Sequence, residues 1–156
     1  MTNSRLTKEW TPTLIKAFGN KPSIVRAREA ELLVINANIG WGYDVIDREE
    51  SKYHQVRGID IEIKAPTWRN YYSVDVKANM DKYGNFYVET TPDGWLRSPK
   101  KISDRICHVC LETKWIAWYS RQDMIKWLRD NSYLRAGLLE ITARHKLPFI
   151  TKRKVN

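Results

Sequence analysis

The chain of 156 residues has the size of about one domain and can bury a core without disulfides or metals. Its apolar content of 42%, with 7 Trp and 8 Tyr, excludes a disordered, collagen-like or coiled-coil protein, and no apolar run reaches the ~18 residues of a membrane span. Lys and Arg number 27 against 18 Asp and Glu, and the resulting charge of +9 is typical of proteins that bind nucleic acid.

The chain begins with a polar segment of mixed charge. Residues 1–10 lack the apolar stretch of a signal peptide, so we expect a soluble, cytoplasmic protein with no membrane partner. The ends, residues 1–11 and 151–156, are expected to be loosely ordered around a single domain that spans residues 1–156. Thr11-Pro12 can open a short helix that runs to residue 18, because proline favours the first helical position.

A longer helix is predicted over residues 24–39, with Ser23 as its N-cap and Gly40 at its end. Apolar residues recur at intervals of three and four and form one face. These are Ala27, Ala30, Leu33, Val34 and Ala37. Glu31 lies near the edge of that face, whereas Glu29 is on the solvent side.

Strand-like runs follow the helix and are separated by turns rich in Gly, Pro, Asn and Asp. They cover residues 43–47, 56–64, 71–79, 85–91, 105–111 and 115–120. A helix is then predicted over residues 122–130, with Met124, Ile125, Trp127 and Leu128 facing inward. The order predicts an α/β protein with a mostly antiparallel sheet and helices packed on it.

Two cysteines, Cys107 and Cys110, have the spacing of a redox or zinc motif. They lie on a predicted strand, where residues i and i+3 point to opposite faces, and the sequence supplies no second pair of zinc ligands. We therefore expect two separate core thiols in a reducing compartment.

Acidic and basic side chains share the polar faces of the second and third strands. Asp60 alternates with Ile59, Ile61 and Ile63, while Asp75 and Lys77 lie together two residues apart. If these strands pair, two carboxylates and an ammonium converge, and such a group can hold Mg²⁺ and act on a phosphodiester. The same alternation also describes a half-exposed sheet with a weak surface ion pair.

The residues Gly58-Ile59-Asp60 and Val74-Asp75-Val76-Lys77, preceded by the helix with Glu31, resemble the PD-(D/E)xK nuclease superfamily. The proline of that name is absent, since Ile59 precedes Asp60. The segments 73–78, 86–89, 94–96 and 103–106 are also similar to small nuclease-like proteins of tailed bacteriophages. The likeness covers roughly residues 27–128 and implies a restriction-endonuclease-like core, in which a central mixed sheet is flanked by helices.

The resemblance implies a role for each matching residue. Asp60, Asp75 and the carbonyl of Val76 would ligate Mg²⁺, for which Mn²⁺ is expected to substitute. Lys77 would be the catalytic lysine. Glu31 would hold a water bound to the metal or a second ion.

Some acidic residues leave alternatives open. Glu89 either orients the lysine and completes the metal shell or is an exposed strand carboxylate. Glu62 competes with Asp60 for the first acidic position, and Asp44 and Asp47 lie on the preceding strand.

Basic side chains near the predicted site are expected to contact phosphates. They are Lys64, Arg69, Lys82, Arg97, Lys100 and Lys101. Trp68 and Arg69 can also stack on a base, and the tail Lys152-Arg153-Lys154 is either a DNA-binding arm or a solvated end.

Together with the resemblance, the sequence favours an Mg²⁺-dependent nuclease that acts on DNA. The resemblance implies an endonuclease of phage type, which would act in the host cytoplasm if the protein is from a phage. A homodimer is compatible with this scaffold. The first alternative is a basic DNA-binding module on a nuclease scaffold that cleaves nothing, and the second is a protein–protein adaptor with an apolar surface patch.

Overall fold

The computed structural model describes residues 23–155, and their elements alternate between helix and strand. The helices are α1 (Ser23–Gly40), α2 (Lys52–Gln55) and α3 (Arg121–Asp130). The strands are β1 (Asp44–Asp47), β2 (Ile61–Lys64), β3 (Tyr72–Lys77), β4 (Phe86–Glu89), β5 (Arg105–Val109), β6 (Trp115–Ser120), β7 (Leu138–Ile141) and β8 (Thr151–Lys154).

Six strands form the main sheet, in the order β1-β2-β3-β5-β6-β8. Only β3 and β5 are parallel among these neighbours, and every other pair is antiparallel. Helices pack on this sheet, so the predicted α/β class with a mixed, mostly antiparallel sheet is confirmed. The remaining strands, β4 and β7, pair antiparallel in a small second sheet.

Apolar side chains cover both faces of the main sheet. On one face, Ala30 and Val34 of α1 pack with Ile61, Val74 and other buried residues. On the opposite face, the core is built from α3, the small sheet and the loop that carries Leu96. Strand β3 therefore lies in the interior with both faces covered, and the alternative of a half-exposed sheet is wrong for this strand.

Helix α1 follows the predicted pattern. Ala30, Val34 and Ala37 are buried at intervals of three and four, and Glu31 is 1% exposed on the same inward side. Helix α3 likewise buries Met124 and Leu128. None of the helices within residues 23–155 is long and apolar enough to cross a membrane.

The second strand is shorter than predicted. Residues 56–58 form a turn instead of the predicted strand, because they follow α2, which the Ser51 hydroxyl caps by accepting a hydrogen bond from His54 N–H. Gly58 then has a φ of +72°, a left-handed conformation that glycine adopts without strain. The strand follows at Ile61–Lys64.

The C-terminal region contains two strands that the sequence analysis did not identify. Strand β7 pairs with β4, and β8 pairs with β6 through Trp115↔Lys154 and Trp118↔Thr151. The expectation of a loose end is therefore wrong for Thr151–Lys154. The N-terminal expectations, loose residues 1–11 and a helix at residues 12–18, lie outside the described part of the chain.

The two cysteines behave as predicted. Both thiols are free and buried, with Cys107 packed in the α1 core and Cys110 in the α3 core. Burial raises the pKa of the Cys107 thiol to about 12, so this group stays protonated at neutral pH.

Candidate active site

An open cleft of about 400 Å³ lies where β2 and β3 separate beyond their last paired residues. Its walls include Glu31 from α1, Asp60, and Asp75, Val76 and Lys77 from β3. The pairing of β2 with β3 and the packing of α1 on them bring these predicted residues together. The cleft is therefore the candidate active site.

Asp60 is held at the entrance to β2 by two hydrogen bonds to β3. Its backbone N–H donates to the carbonyl of Val74 (2.9 Å), and its Oδ2 accepts from the N–H of Val76 (2.7 Å). The N–H and C=O of a strand residue point to the same edge, so the Val76 carbonyl is directed to the side on which Asp60 lies. The Asp60 carboxylate and the Val76 carbonyl thus lie on the same side of β3.

Asp75 is more deeply buried than Asp60. Its side chain is 4% exposed, and its Oδ2 has no hydrogen-bond partner. Burial raises the pKa of the carboxyl above its usual value, while Lys77 and the nearby Asp60 carboxyl act in the opposite direction. A buried carboxylate oxygen without a donor is costly, and a bound cation would relieve that cost.

Gly58 allows the chain to pass over Asp75. A Cβ on Gly58 would lie 3.1 Å from the Lys101 side chain and 3.5 Å from Asp75 Oδ2. A side chain at this position would narrow the approach to the carboxylate. The glycine of the predicted motif is therefore required both for its backbone conformation and for access to the cleft.

Lys77 lies between the acidic pair and an aromatic ring. Its Nζ is 3.3 Å from Asp75 Oδ1 and 5.0 Å from the centre of the Trp95 ring, and its side chain is 27% exposed. The ammonium is thus oriented by a charge and by a π face, yet still reaches solvent. This arrangement suits a lysine that acts on a substrate in the cleft.

Glu89 supports the loop that carries Trp95. Its Oε1 accepts a hydrogen bond from Trp95 N–H (3.1 Å), and a Cβ on Gly94 would come within 2.4 Å of the same oxygen. Within the described residues, Lys77 and Glu89 share no ion pair or hydrogen bond, and Glu89 does not line the cleft. The structure therefore does not bring Glu89 to the acidic pair.

Glu31 lines the cleft, and its negative charge is neutralised by Arg28. Arg28 NH1 lies 3.1 Å from Glu31 Oε1, and the same guanidinium bonds to Asp47 (2.6 Å) and Glu49 (3.0 Å). Burial of Arg28 would lower its pKa, but the bonds to Asp47 and Glu31 outweigh burial and raise the pKa above its usual value. Arg28 is therefore always charged, and it links α1 to β1 and the following turn.

The rival acids are directed elsewhere. Glu62 pairs with Arg48 (2.6 Å) and lies 3.6 Å from His54, and Asp47 belongs to the Arg28 cluster. Asp44 is exposed, and Glu29 is half-buried. None of these residues lines the cleft, whereas Asp60 does.

The predicted phosphate contacts divide into two groups. Lys101 lines the cleft, and its Nζ donates to the carbonyl of Val56 (3.2 Å). Arg97 is occupied structurally, because it donates to the carbonyl of Thr90 (2.7 Å). The other side chains are exposed or half-buried and do not line the cleft: Lys64, Arg69, Lys82 and Lys100.

A buried polar network behind the cleft was missed by the sequence analysis. His108 lies opposite Lys77 in the β3–β5 register, and its ring nitrogens contact Asn79 Oδ1 (2.5 Å) and the Tyr119 hydroxyl (2.7 Å). Burial, and then Lys77, lower the pKa of His108 well below its usual value, so the imidazole is neutral. The only signal in the sequence was a histidine inside an apolar strand.

The donor set fits a hard cation only in part. Within residues 23–155, no group of three or more His, Cys, Asp or Glu side chains is arranged to hold a metal ion. A cation would instead rest on Asp60, Asp75 and backbone oxygen, with water completing its shell, as Mg²⁺ sites commonly do. The unpartnered Asp75 Oδ2 is the observation that favours such a ligand.

Comparisons with known proteins show similarity to solved structures but not to families or curated proteins. No protein-family model and no curated protein matches the chain. A solved structure of a bacterial homing endonuclease is similar over 78% of this chain and 76% of its own, with 14% identity and a TM-score of 0.49. This is a low similarity of backbone architecture, and we base function on the cleft alone.

Proposed function

We propose that the protein is a nuclease that hydrolyses DNA phosphodiester bonds, depends on Mg²⁺ and cuts as an endonuclease. The observation that carries the proposal is the buried Asp75 carboxylate, whose Oδ2 has no hydrogen-bond partner. Asp75 lines an open cleft together with Asp60 and Lys77. Paired carboxylates repel phosphate, so a protein that only binds DNA has no use for them at this position. The net charge of +9 supports a polyanionic substrate.

Asp60, Asp75 and the carbonyl of Val76 are the residues that would hold Mg²⁺, with Glu31 at the rim. When bound, the cation neutralises negative charge on the phosphoryl group and acidifies water. Lys77 is assigned the role of orienting the attacking water and stabilising negative charge at phosphorus. Water attacks phosphorus, the bond to the leaving oxygen breaks, and we expect a 5′-phosphate and a 3′-hydroxyl.

One observation favours the alternative of a DNA-binding module that does not cleave. Glu31 is ion-paired to Arg28, which reduces its capacity to hold a cation. In that case the basic residues that line the cleft would bind DNA, and Asp75 would have no catalytic role. The two functions differ in whether any phosphodiester is broken.

The test is incubation of the purified protein with supercoiled, linear, single-stranded and branched DNA. Each substrate is tested with Mg²⁺, with Mn²⁺ and with EDTA, beside the Asp75→Asn variant. Metal-dependent cutting that is absent from the variant supports the nuclease, and cutting of closed circles supports an endonuclease. Binding without cutting under every condition would move the assignment to the binding module.

A further inference from the structure

A second cavity, of about 520 Å³, lies between the N-terminal end of α3 and the start of β5. The guanidinium of Arg105 in its wall is held over the rings of Tyr72 (4.5 Å) and Trp68 (5.2 Å). Lys101 lines both this cavity and the acidic cleft. The other charged residues of its wall are Arg97, Arg105, Arg121 and Asp104, so positive side chains outnumber the single acid. The wall therefore attracts an anion, whereas the cleft beside it carries the carboxylates.

The acid on the wall is already occupied. Asp104 Oδ2 accepts hydrogen bonds from the backbone N–H of Ser73 (2.9 Å) and from its hydroxyl (3.1 Å). These bonds hold the loop before β5 against β3 and engage the carboxylate. Asp104 keeps its negative charge, and the four basic residues of the wall exceed it by three.

Ser103 supplies an unpartnered hydroxyl in the same wall. The residue is 1% exposed, and its Oγ has no hydrogen-bond partner. Its carbonyl is occupied, because it accepts a bond from Arg121 Nε (2.9 Å). A buried hydroxyl without a partner is unfavourable, and an oxygen-rich ligand would satisfy it.

Arg121 places a fixed positive charge behind the cavity. It is 5% exposed and also donates to the carbonyls of Trp95 (3.2 Å) and Leu96. Burial lowers its pKa, while Asp75 and Tyr119 act in the opposite direction. The cavity and the cleft adjoin at Lys101, which lines both.

The N-terminus of α3 adds a weaker attraction for anions. Ser120 caps the helix by accepting from Asp123 N–H (3.5 Å), and Arg121 N–H donates to the Asp104 carbonyl (3.0 Å). Gln122, in the first turn, is exposed and lines the cavity. A charge introduced at Gln122 would therefore act on the ligand without disturbing the core.

We propose that this cavity is a second phosphate subsite, which holds a backbone phosphate of the nucleic acid whose neighbouring phosphodiester enters the acidic cleft. The inference builds on the proposed function and defines how the substrate lies across the protein. Lys101 contacts the nucleic-acid backbone between the phosphate in the cavity and the phosphodiester in the cleft. Arg105 and the Ser103 hydroxyl bind the phosphate oxygens.

The test uses Gln122→Glu and the matched control Asn36→Asp, which adds the same charge on exposed α1. Binding of a fluorescein-labelled 20-base-pair duplex is measured in EDTA over a range of salt concentrations. Gln122→Glu should weaken binding about tenfold and reduce the slope of log affinity against log salt by about one. The control should stay within about twofold of wild type, which is far less than one lost phosphate contact at low salt.

A second variant, Ser103→Ala, removes the unpartnered hydroxyl and should leave thermal stability unchanged or higher while weakening DNA binding. If Gln122→Glu binds like Asn36→Asp, or if Ser103→Ala binds like wild type, the subsite is refuted. Cleavage in Mg²⁺ is measured in parallel. If the two variants bind DNA more weakly but wild type never cuts, the subsite is supported and the nuclease is refuted. If wild type cuts and the variants bind as tightly as wild type, the nuclease is supported and the subsite is refuted.

Discussion

The side chain of Asp60 accepts a hydrogen bond of 2.7 Å from the backbone N–H of Val76, the residue after Asp75. This bond continues the pairing of β2 with β3 by one step after Ile61↔Val74, using a side chain in place of a backbone carbonyl. It fixes the first acid beside the second. The geometry of the acidic pair is thus a property of the sheet and does not depend on a loop.

Replacing Asp75 with Asn should stabilise the fold. Burial raises the pKa of this carboxyl, so the folded protein holds the proton more tightly than the unfolded chain does. The stability that this provides is present below the unfolded pKa of about 3.9 and is lost as pH rises through the raised folded pKa. In thermal unfolding from pH 4 to pH 8, the unfolding temperature of Asp75→Asn should rise relative to that of wild type as the pH increases.

A difference between Asp75→Asn and wild type that shrinks as pH rises would contradict this account. Val74→Ala, an apolar change on the same strand, is the control and should show no such trend. Addition of Mg²⁺ at neutral pH should raise the unfolding temperature of wild type but not of Asp75→Asn, because the cation would bind the carboxylate in the folded state only.

Lys77→Met should abolish cleavage while leaving the fold intact. Methionine keeps most of the stem that packs near Trp95 but removes the ammonium beside Asp75. A loss of about 100-fold or more in the cleavage rate is expected for a group that stabilises charge at phosphorus. Lys126→Met, an exposed lysine on α3, is the matched control and should cut at the wild-type rate. Equal rates in the two variants would refute the assignment.

Arg28→Ala should destabilise the protein strongly. Removal of the guanidinium leaves Glu31, which is 1% exposed, without the cation that neutralises it. Breaking a buried ion pair from one side costs roughly 3–5 kcal/mol. Urea unfolding measures the loss, and the double variant Arg28→Met with Glu31→Gln should recover part of it. A loss within about 1 kcal/mol, the value of a surface pair, would show that the cluster is solvated.

Glu89→Gln should retain cleavage within a few-fold of wild type. The amide oxygen can still accept the hydrogen bond from Trp95 N–H, whereas a metal ligand would not survive this change. Glu89→Ala should lose activity because Trp95, and with it Lys77, would shift. Loss of Mg²⁺-dependent cleavage in Glu89→Gln would instead assign Glu89 to the metal site.

The sequence predicts the central elements well because their patterns are local. The apolar face of α1 and the alternation of Val74 and Val76 with Asp75 and Lys77 follow from helix and strand periodicity. Strand β8 was missed because its four side chains are polar and exposed, so an edge strand held by backbone pairing leaves no apolar pattern.

The features that the sequence did not predict arise from contacts between residues that are far apart in the chain. Arg28 and Glu31 have the i, i+3 spacing of a helical ion pair, but no local pattern indicates that Arg28 also binds Asp47 and Glu49. The Ser103 carbonyl accepts a hydrogen bond from Arg121, which is distant in the chain. Such features depend on tertiary packing and become visible only in three dimensions.

The most direct test of the nuclease is the initial rate of supercoiled DNA cleavage as Mg²⁺ is titrated from zero, for wild type and for Asp75→Asn. The account predicts a rate that rises from none in EDTA to saturation for wild type, and no cutting by the variant at any Mg²⁺ concentration. Equal rates for the two proteins, or cutting by wild type that persists in EDTA, would contradict it.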